Sequence, residues 1–477
     1  MSNKKIIFFF LLPVLLSFIL HFRVLNLDLI GYHSWRQTQT QTVIYNFTFS
    51  DNSILHPQKF DITDGTTSLL YEFPLYQWII AQVNNCIGYS VLHTRLVTFL
   101  MFVFLLFGFY KLNTKLVLKE VALISNALLC FSPLLYYYCI NPLPDILALC
   151  FSVWALNFFF AFIYSSNLKH YVLFSFFIML AALVKLPYIL FGGVFILYAY
   201  RSLKEKKYKE VLSKGFFLLL LLIPVIIWYV KAIPTWKNND ITSGMLSSNK
   251  TLIYLLDCFQ FNVISTVPEL ITNYASCIFL VTGMYFIFKR IKYLKGEQYY
   301  FIVIFALISI YFLFELNMIE KTHDYYLMPF VPLIFLVVTY GVNYFWQKNS
   351  KRTVFIFMCL VPITAWLRID TRWDINKPGF VPDYLTEQAH LQSLIPENEK
   401  CIIDYDDSHF ISLYYLKRNG FSLFENELNP EILKDRYKKG ANYFITENLA
   451  INLNEFDQFN FEEIYNKNLK IYKLSLK

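Results

Sequence analysis

The chain of 477 residues is 56% hydrophobic and only 16% charged, where soluble proteins carry roughly 25% charged residues. Its mean hydropathy is +0.44 and the apolar residues come in blocks, which excludes soluble multidomain, disordered and fibrous classes. Aromatic residues reach 19%, with 49 Phe and 35 Tyr, a usage suited to lipid-facing and interfacial surfaces. This is the composition of a polytopic membrane protein. The net charge of +8 does not argue for nucleic acid, because the basic residues cluster between apolar segments, where they set topology. The eight Cys are scattered without a C-x-x-C pair, so neither a disulfide framework nor a zinc site follows from them.

Lys4-Lys5 precede the apolar run Ile6 to Leu20, and His21, Phe22 and Arg23 continue without a small-residue cleavage site. The expectation is an uncleaved first helix. At about 20 apolar residues per span, the candidates are 6–22, 91–111, 117–138, 143–164, 169–184, 186–200, 213–232, 268–289, 299–317, 325–346 and 352–369. That is about eleven helices by the same rule, with 169–200 a tight pair broken at Lys185-Leu186-Pro187. Alternate connections carry Lys111, Lys115 and Lys119, then Lys169, the run Arg201 to Lys214, Lys289 to Lys295, and Lys348 to Arg352. With Lys4 and Lys5 these form the cation-rich inner side, which puts the N-terminus inside. The loop 23–90 and everything after about 370 then lie outside.

From Asp370 to Lys477 the chain turns polar. Short β-like runs (Cys401–Asp404, Asn442–Thr446, Lys470–Leu476) alternate with helical patterns at Ser408–Lys417 and Pro430–Lys438. Gly420 and Gly440 stand where helices should stop, and Asp407 of the Asp406-Asp407 pair should cap the helix that follows. The expected organisation is a transmembrane domain, 1–369, and an outer α/β domain, 370–477.

The first outer loop is too particular to be a connector. It holds Gly31-Tyr32-His33-Ser34-Trp35-Arg36-Gln37-Thr38 before a helical stretch to Phe47, then Tyr71-Glu72-Phe73-Pro74-Leu75-Tyr76-Gln77-Trp78 opening a segment to Gly88. Both segments are too short to span, so juxtamembrane helices are expected. Trp35, Tyr76 and Trp78 by themselves suit an aromatic belt. His33, Arg36 and Glu72 require more, since charges near lipid are costly and mark function or pairing.

His-Ser-Trp-Arg-Gln after one N-terminal span, followed by Glu-Phe-Pro-Leu-Tyr, resembles family 39-type glycosyltransferases of the GT-C superfamily. These are relatives of protein O-mannosyltransferases and of the lipid A aminoarabinose transferase. Asn141-Pro142-Leu143-Pro144-Asp145, Val184-Lys185-Leu186-Pro187 and Lys321-Thr322-His323-Asp324-Tyr325-Tyr326-Leu327-Met328-Pro329 follow in matching order, and the polar C-terminal part agrees. The resemblance implies an all-helical GT-C membrane domain that transfers a sugar from a polyprenyl phosphate to a glycan, lipid or protein acceptor. Transfer would invert the anomeric carbon on the outer face of a membrane, the bacterial inner membrane in the simplest case.

Such a reaction needs a base near the acceptor hydroxyl and cations at the departing phosphate. The resemblance places the reacting groups at His33 and Glu72, with Asp28 and Asp145 as further carboxylates. The family's Asp-Glu pair at the start of the first loop helix is absent, so its base does not carry over. Glu72 matches the Glu of a Glu-Lys-Pro-Pro pattern whose Lys is Phe73 here, which moves the phosphate role to Arg36, Lys185 or Lys321. Trp35, Gln37, His323, Asp324 and Tyr325 are the candidates for sugar or acceptor contacts. Each has a plainer reading: Lys185 snorkelling to headgroups, Asp145 favoured by a helix dipole, His323 and Asp324 in a polar loop. No ligand cluster stands out for a metal, so a divalent ion stays open without support from the sequence, and no cofactor is assigned. A transporter of lipid-linked glycans would place repeat symmetry and mid-span charges in the sequence, whereas a catalytically silent binding subunit would share the missing Asp-Glu pair.

Overall fold

A computed structural model describes residues 2–236, 240–289 and 296–477. Arg290, Lys292 and Lys295 of the expected inner cluster lie outside the described residues. The order begins with helices α1 (Asn3–His21), α2 (Ser34–Phe49), α3 (Leu75–Ile87), α4 (Val91–Asn113), α5 (Lys119–Cys130), α6 (Pro133–Tyr138), α7 (Asp145–Ser165) and α8 (Leu168–Val184). Among the described residues seven helices are long and apolar enough to cross a membrane, or nine if two bent pairs each count once. All the expected spans are helical, but two fall short of that length. The segment 117–138 is interrupted at Phe131-Ser132 between α5 and α6, where Pro133 cannot donate to the preceding turn. The helix α8 has 17 residues.

The bent pairs have local causes. Tyr208–Leu221 and Ile223–Thr235 meet at 43°, where Pro224 opens the second helix. Leu252–Ile271 and Tyr274–Lys289 turn by 92° about Asn273, whose φ is +64° and whose side chain accepts from the Ala275 amide. Elsewhere the helices close on small residues. A Cβ at Gly341 would lie 1.9 Å from the Phe279 carbonyl oxygen, so Val331–Gln347 and Cys277–Lys289 pack backbone to backbone.

At the end of the bundle where α1 finishes sits one five-stranded sheet, ordered β2-β1-β3-β5-β4. Its strands are β1 (Lys400–Asp404), β2 (Gly420–Ser422), β3 (Ala441–Thr446), β4 (Phe459–Asn466) and β5 (Lys470–Leu476). β1 pairs in parallel with β2 and β3, while β5 runs antiparallel to β3 and β4. Alternation along β1 sends Cys401 and Ile403 to one apolar cluster and Ile402 to the other, the period of two that buries both faces of a strand. The first cluster also contains Leu29 and Phe60 of the first loop. Tyr414 Oη donates to Asp28 Oδ1 at 2.8 Å and Tyr415 Oη to the Leu29 carbonyl, so the sheet unit is docked onto the loop.

Two local expectations are corrected. Gly420 does not stop a helix; it begins β2, and the helix before it, Ile411–Leu416, ends on Lys417 in the left-handed conformation. Gly440, at φ +90°, does follow the helix Pro430–Lys438. The cap after β1 is Asp406, which accepts from the Ser408 and Ser412 amides, whereas Asp407 accepts from the Glu425 amide. The strands β2 and β4 had no clear sequence signal, β2 being three residues long and β4 carrying charged residues at an edge.

The other edge, β2, is covered by the first loop. Gly420 donates to the Phe60 carbonyl at 3.1 Å, and Ile62 donates to the Gly420 carbonyl at 2.8 Å. Asp61 bonds Thr63 and lies 3.8 Å from His409. Burial pushes the Asp61 carboxyl up, but the nearby His409 ring, the bonds from Thr63 and the charge of Lys59 outweigh it and hold the group at about 2. Ile62→Pro removes the amide that pairs with Gly420, and should lower the melting temperature and open the 51–70 loop to protease, with a cost of about 1–3 kcal/mol for the unmade buried bond.

Candidate active site

The site is built around the N-terminus of α2. Gly31 lies at φ +88° and donates to the Pro378 carbonyl at 3.0 Å, and a Cβ on it would stand 1.8 Å from the Arg372 carbonyl oxygen. Only glycine fits that turn. His33 follows at φ +57° and its carbonyl starts the helix, accepting from the Arg36 and Gln37 amides. From Ser34 to Thr42 most side chains are polar and buried. That is costly unless they are bonded, and many are: Thr40 to the Arg36 carbonyl, Gln41 to Tyr89, Thr94 to Gln41. The helix therefore lies inside the protein, not along its surface.

One turn of helix separates two clusters. In the first, Arg36 Nη2 donates to Glu72 Oε1 at 2.6 Å while Nη1 donates to Gln39. Lys185 Nζ donates to Asp145 Oδ2 at 2.6 Å, and Tyr188 donates to the same carboxylate. Burial alone would raise the Glu72 carboxyl, but Arg36 and Lys185 together hold it below its usual range. Phe73, where a relative's Lys was expected, packs edge-on to Trp228 with ring centres 5.0 Å apart.

In the second cluster, the His33 Nε2 lies 3.0 Å from the Thr322 carbonyl oxygen and 3.7 Å from Asp324 Oδ1. A carbonyl only accepts, so Nε2 carries the proton and Nδ1 is left as the basic nitrogen. Burial lowers the His33 pKa to about 4, against the opposing charge of Asp324, and the ring is neutral at ordinary pH. It stacks on His323 at 5.3 Å and 15° and meets Tyr325 edge-on at 5.1 Å. Asp324 also accepts from Tyr138 at 2.7 Å and from Arg372 at 2.8 Å. The Arg372 guanidinium lies over the rings of Tyr32 and Tyr137, at 4.4 and 4.9 Å. Tyr325 joins the two clusters, because Lys185 Nζ lies 4.9 Å from its ring centre.

Of the expected residues, His33, Arg36, Glu72, Asp145, Lys185, His323, Asp324 and Tyr325 are thus brought together. Trp35 stands beside them, 6.4 Å from His33 and 6.2 Å from His323 between ring centres. Gln37 donates to the Tyr32 carbonyl and to Tyr137. Two residues go elsewhere. Asp28 faces Tyr414 of the sheet unit, and Lys321 pairs with Asp257 at 2.5 Å on an exposed surface. The sequence reading missed Gln39, Tyr138, Thr322 and Arg372. Arg372 alone carried a usable signal, a charge placed where the last apolar run ends. Buried Gln37 Oε1 and Arg372 Nη1 have no bonding partner among the described residues. No group of three or more His, Cys, Asp or Glu among those residues has the geometry of a metal site.

The sequence profile of the dolichyl-phosphate-mannose-protein mannosyltransferase family matches residues 72–228, from Glu72 through Asp145 and Lys185. No curated protein sequence matches the chain. Among solved structures, ArnT from Cupriavidus metallidurans bound to undecaprenyl phosphate superimposes with a TM-score of 0.70 at 11% identity, covering 99% of this chain and 98% of that one. The chain has the GT-C glycosyltransferase fold. The apo form of the same ArnT gives a TM-score of 0.68 at 11% identity over 98% of each chain. The Archaeoglobus fulgidus oligosaccharyltransferase, solved with zinc and sulfate, gives 0.57 at 13% identity over 98% of this GT-C chain and 73% of that chain. The apolar helices and the GT-C fold together make this an integral membrane protein.

The charges at Asp324 are buried, so breaking the pair by Arg372→Ala strands a carboxylate and should cost about 3–5 kcal/mol. Asp324→Asn combined with Arg372→Ala should recover a large part of that loss. Thermal unfolding of the two single variants and the double variant in detergent measures the coupling.

Proposed function

We propose that this protein transfers a sugar from a polyprenyl phosphate to an acceptor hydroxyl, with inversion at the anomeric carbon. One observation carries the reading: a buried Arg36 and a half-buried Lys185, each paired with a carboxylate, lie close to a neutral His33, with Tyr325 between Lys185 and that ring. The undecaprenyl phosphate bound by the structurally similar ArnT supports the donor class. The acceptor oxygen attacks the anomeric carbon as the bond from that carbon to the phosphate oxygen breaks. Its proton passes to His33 Nδ1, and polyprenyl phosphate leaves with the bonding electrons. Arg36, with its planar fork, and Lys185 stabilise the departing charge. Glu72, held ionised by Arg36, orients that guanidinium, and Gln37 and Arg372 each offer an unfilled bonding position to the sugar or acceptor.

The experiment is incubation of the purified protein with labelled polyprenyl-phosphate sugars. Sugar transfer with release of polyprenyl phosphate supports an enzyme; a transporter or a silent binding subunit gives neither. Arg36→Ala should lower kcat/KM by about 2–4 kcal/mol of transition-state stabilisation, and near-normal turnover removes Arg36 from the reaction. Because this variant strands Glu72, Arg36→Ala with Glu72→Gln separates lost folding from lost catalysis.

For the base, His33→Ala should abolish most of kcat while leaving donor affinity within a few-fold, and added imidazole should restore part of it. Asp324, His323, Arg372, Tyr32 and Tyr325 surround the ring. Only neutral His33 accepts a proton, so activity should persist as pH falls through the unperturbed value near 6.5 and decline toward about 4. A limb centred near 6.5 assigns the base to a solvated group instead. Arg36 and Lys185 hold the Glu72 carboxyl below its usual range against its burial, and substitution with rescue tells it from His33.

We further infer an outer-facing site with the N-terminus inside, from the basic inner connections, in a bacterial inner membrane. A cysteine at exposed Glu431 in a Cys86→Ser background should react with an impermeant thiol reagent in intact cells. Protection there, with labelling at Glu205→Cys instead, reverses the orientation.

A further inference from the structure

A second concavity lies away from Tyr325 and the charged pairs. It is a groove of about 900 Å³ bounded by α1, α5 and the helix Lys351–Ile369, and its walls are almost wholly apolar, with Phe9, Leu16, Ile124, Ala127, Phe355 and Ile363 among them. None of the candidate site residues lines it.

Its two ends differ in chemistry. The three helices run in the same direction, so Glu120, Trp346 and Lys351 stand at one end and Leu20, Phe131 and Trp366 at the other. The first end is strongly basic: Lys4, Lys5, Lys119, Lys348, Lys351 and Arg352 all lie exposed on the helix ends that meet there, against the one acid Glu120 in the groove. Lys351 Nζ is 5.1 Å from the centre of the Trp346 ring, an arrangement of cation and indole suited to a headgroup boundary. At ~1.5 Å per residue the wall runs ~16 Å from Phe9 to Leu20 and ~22 Å from Lys351 to Trp366. A hydrocarbon core of ~30 Å allots ~15 Å to each leaflet. The groove is therefore longer than one leaflet is deep, and a chain that enters at its basic end can lie against it past the midplane.

We propose that this groove holds the acyl chains of one anionic phospholipid, with the headgroup phosphate at Lys351 and Arg352. The basic end selects an anion over a zwitterion, and it stands at the start of α1, whereas the charged pairs and the sheet unit lie where α1 finishes. The proposal requires only that the chain spans a membrane, and it stands apart from the transferase reading.

Native mass spectrometry of the full chain released from detergent tests it, with phosphatidylglycerol, phosphatidylcholine of identical chains and undecaprenyl phosphate as competing probes. The expected result is one retained phosphatidylglycerol, favoured over phosphatidylcholine by about fivefold or more per basic residue engaged. Lys351→Glu with Arg352→Glu, both at exposed positions, should erase that preference, and Ala127→Trp should abolish retention of either phospholipid. Equal retention of the two phospholipids by the unaltered chain overturns the proposal. So does preferential retention of undecaprenyl phosphate, or retention unchanged in the double charge variant. If Ala127→Trp does not fold, Ile363→Trp on the opposite wall tests the same filling, and unchanged retention in that variant also overturns it.

Discussion

The whole architecture turns on pairing ionised side chains that are largely withdrawn from water. An isolated charge in such a place is too costly to keep. Arg36 therefore requires Glu72, Lys185 requires Asp145, and Arg372 requires Asp324. The members of each pair come from segments distant in the chain, so the pairing requirement dictates which loops and helix ends must meet. α2 supplies His33 and Arg36, the start of α7 supplies Asp145, the end of α8 supplies Lys185, and the end of the helix Lys351–Ile369 leads into Arg372. The apolar bundle holds these ends at the same depth; the charges fix their mutual positions.

That division also explains what was legible in the sequence. Hydropathy and loop charge located the helical segments because burial in lipid leaves long one-sided compositional signals. The motif around His33 and Arg36 was visible because polar residues close to a membrane are conspicuous. Distant pairing left no such trace. Nothing local in Thr371-Arg372-Trp373 says that the guanidinium lies over Tyr32 and Tyr137, and nothing local in Lys321 says that it turns away to Asp257. The tautomer of His33 depends on a backbone carbonyl nearly 290 positions later, which no spacing rule can supply. In the sheet unit, Gly420 looked like a helix terminator because glycine serves both purposes. Its strand role follows from the close approach of Cys401, whose carbonyl oxygen would lie 2.6 Å from an added Cβ.

Tyr325 deserves a separate physical reading. Its ring faces a cation on one side and meets a neutral imidazole at its edge. The face of an aromatic ring is electron-rich and attracts Lys185, while its rim is weakly positive and suits the His33 ring. One side chain thus sits between the Lys185 ammonium and the neutral His33 ring without adding a net charge of its own. A carboxylate at that position would bind Lys185 more strongly but would also draw a proton onto His33.

The strip from Phe60 to Ile62 adds itself to β2, although more than 350 residues separate them. During synthesis this loop is made more than 350 residues before its partner strand. Until β2 has been translated and folded, the loop lacks the edge that satisfies its backbone, and until Pro378 arrives the turn at Gly31 lacks the carbonyl that holds it. The His33 end of α2 is therefore left unfastened while the rest of the helical bundle is made, and a chain stopped before these two segments would keep its helices without the contacts that fix that end.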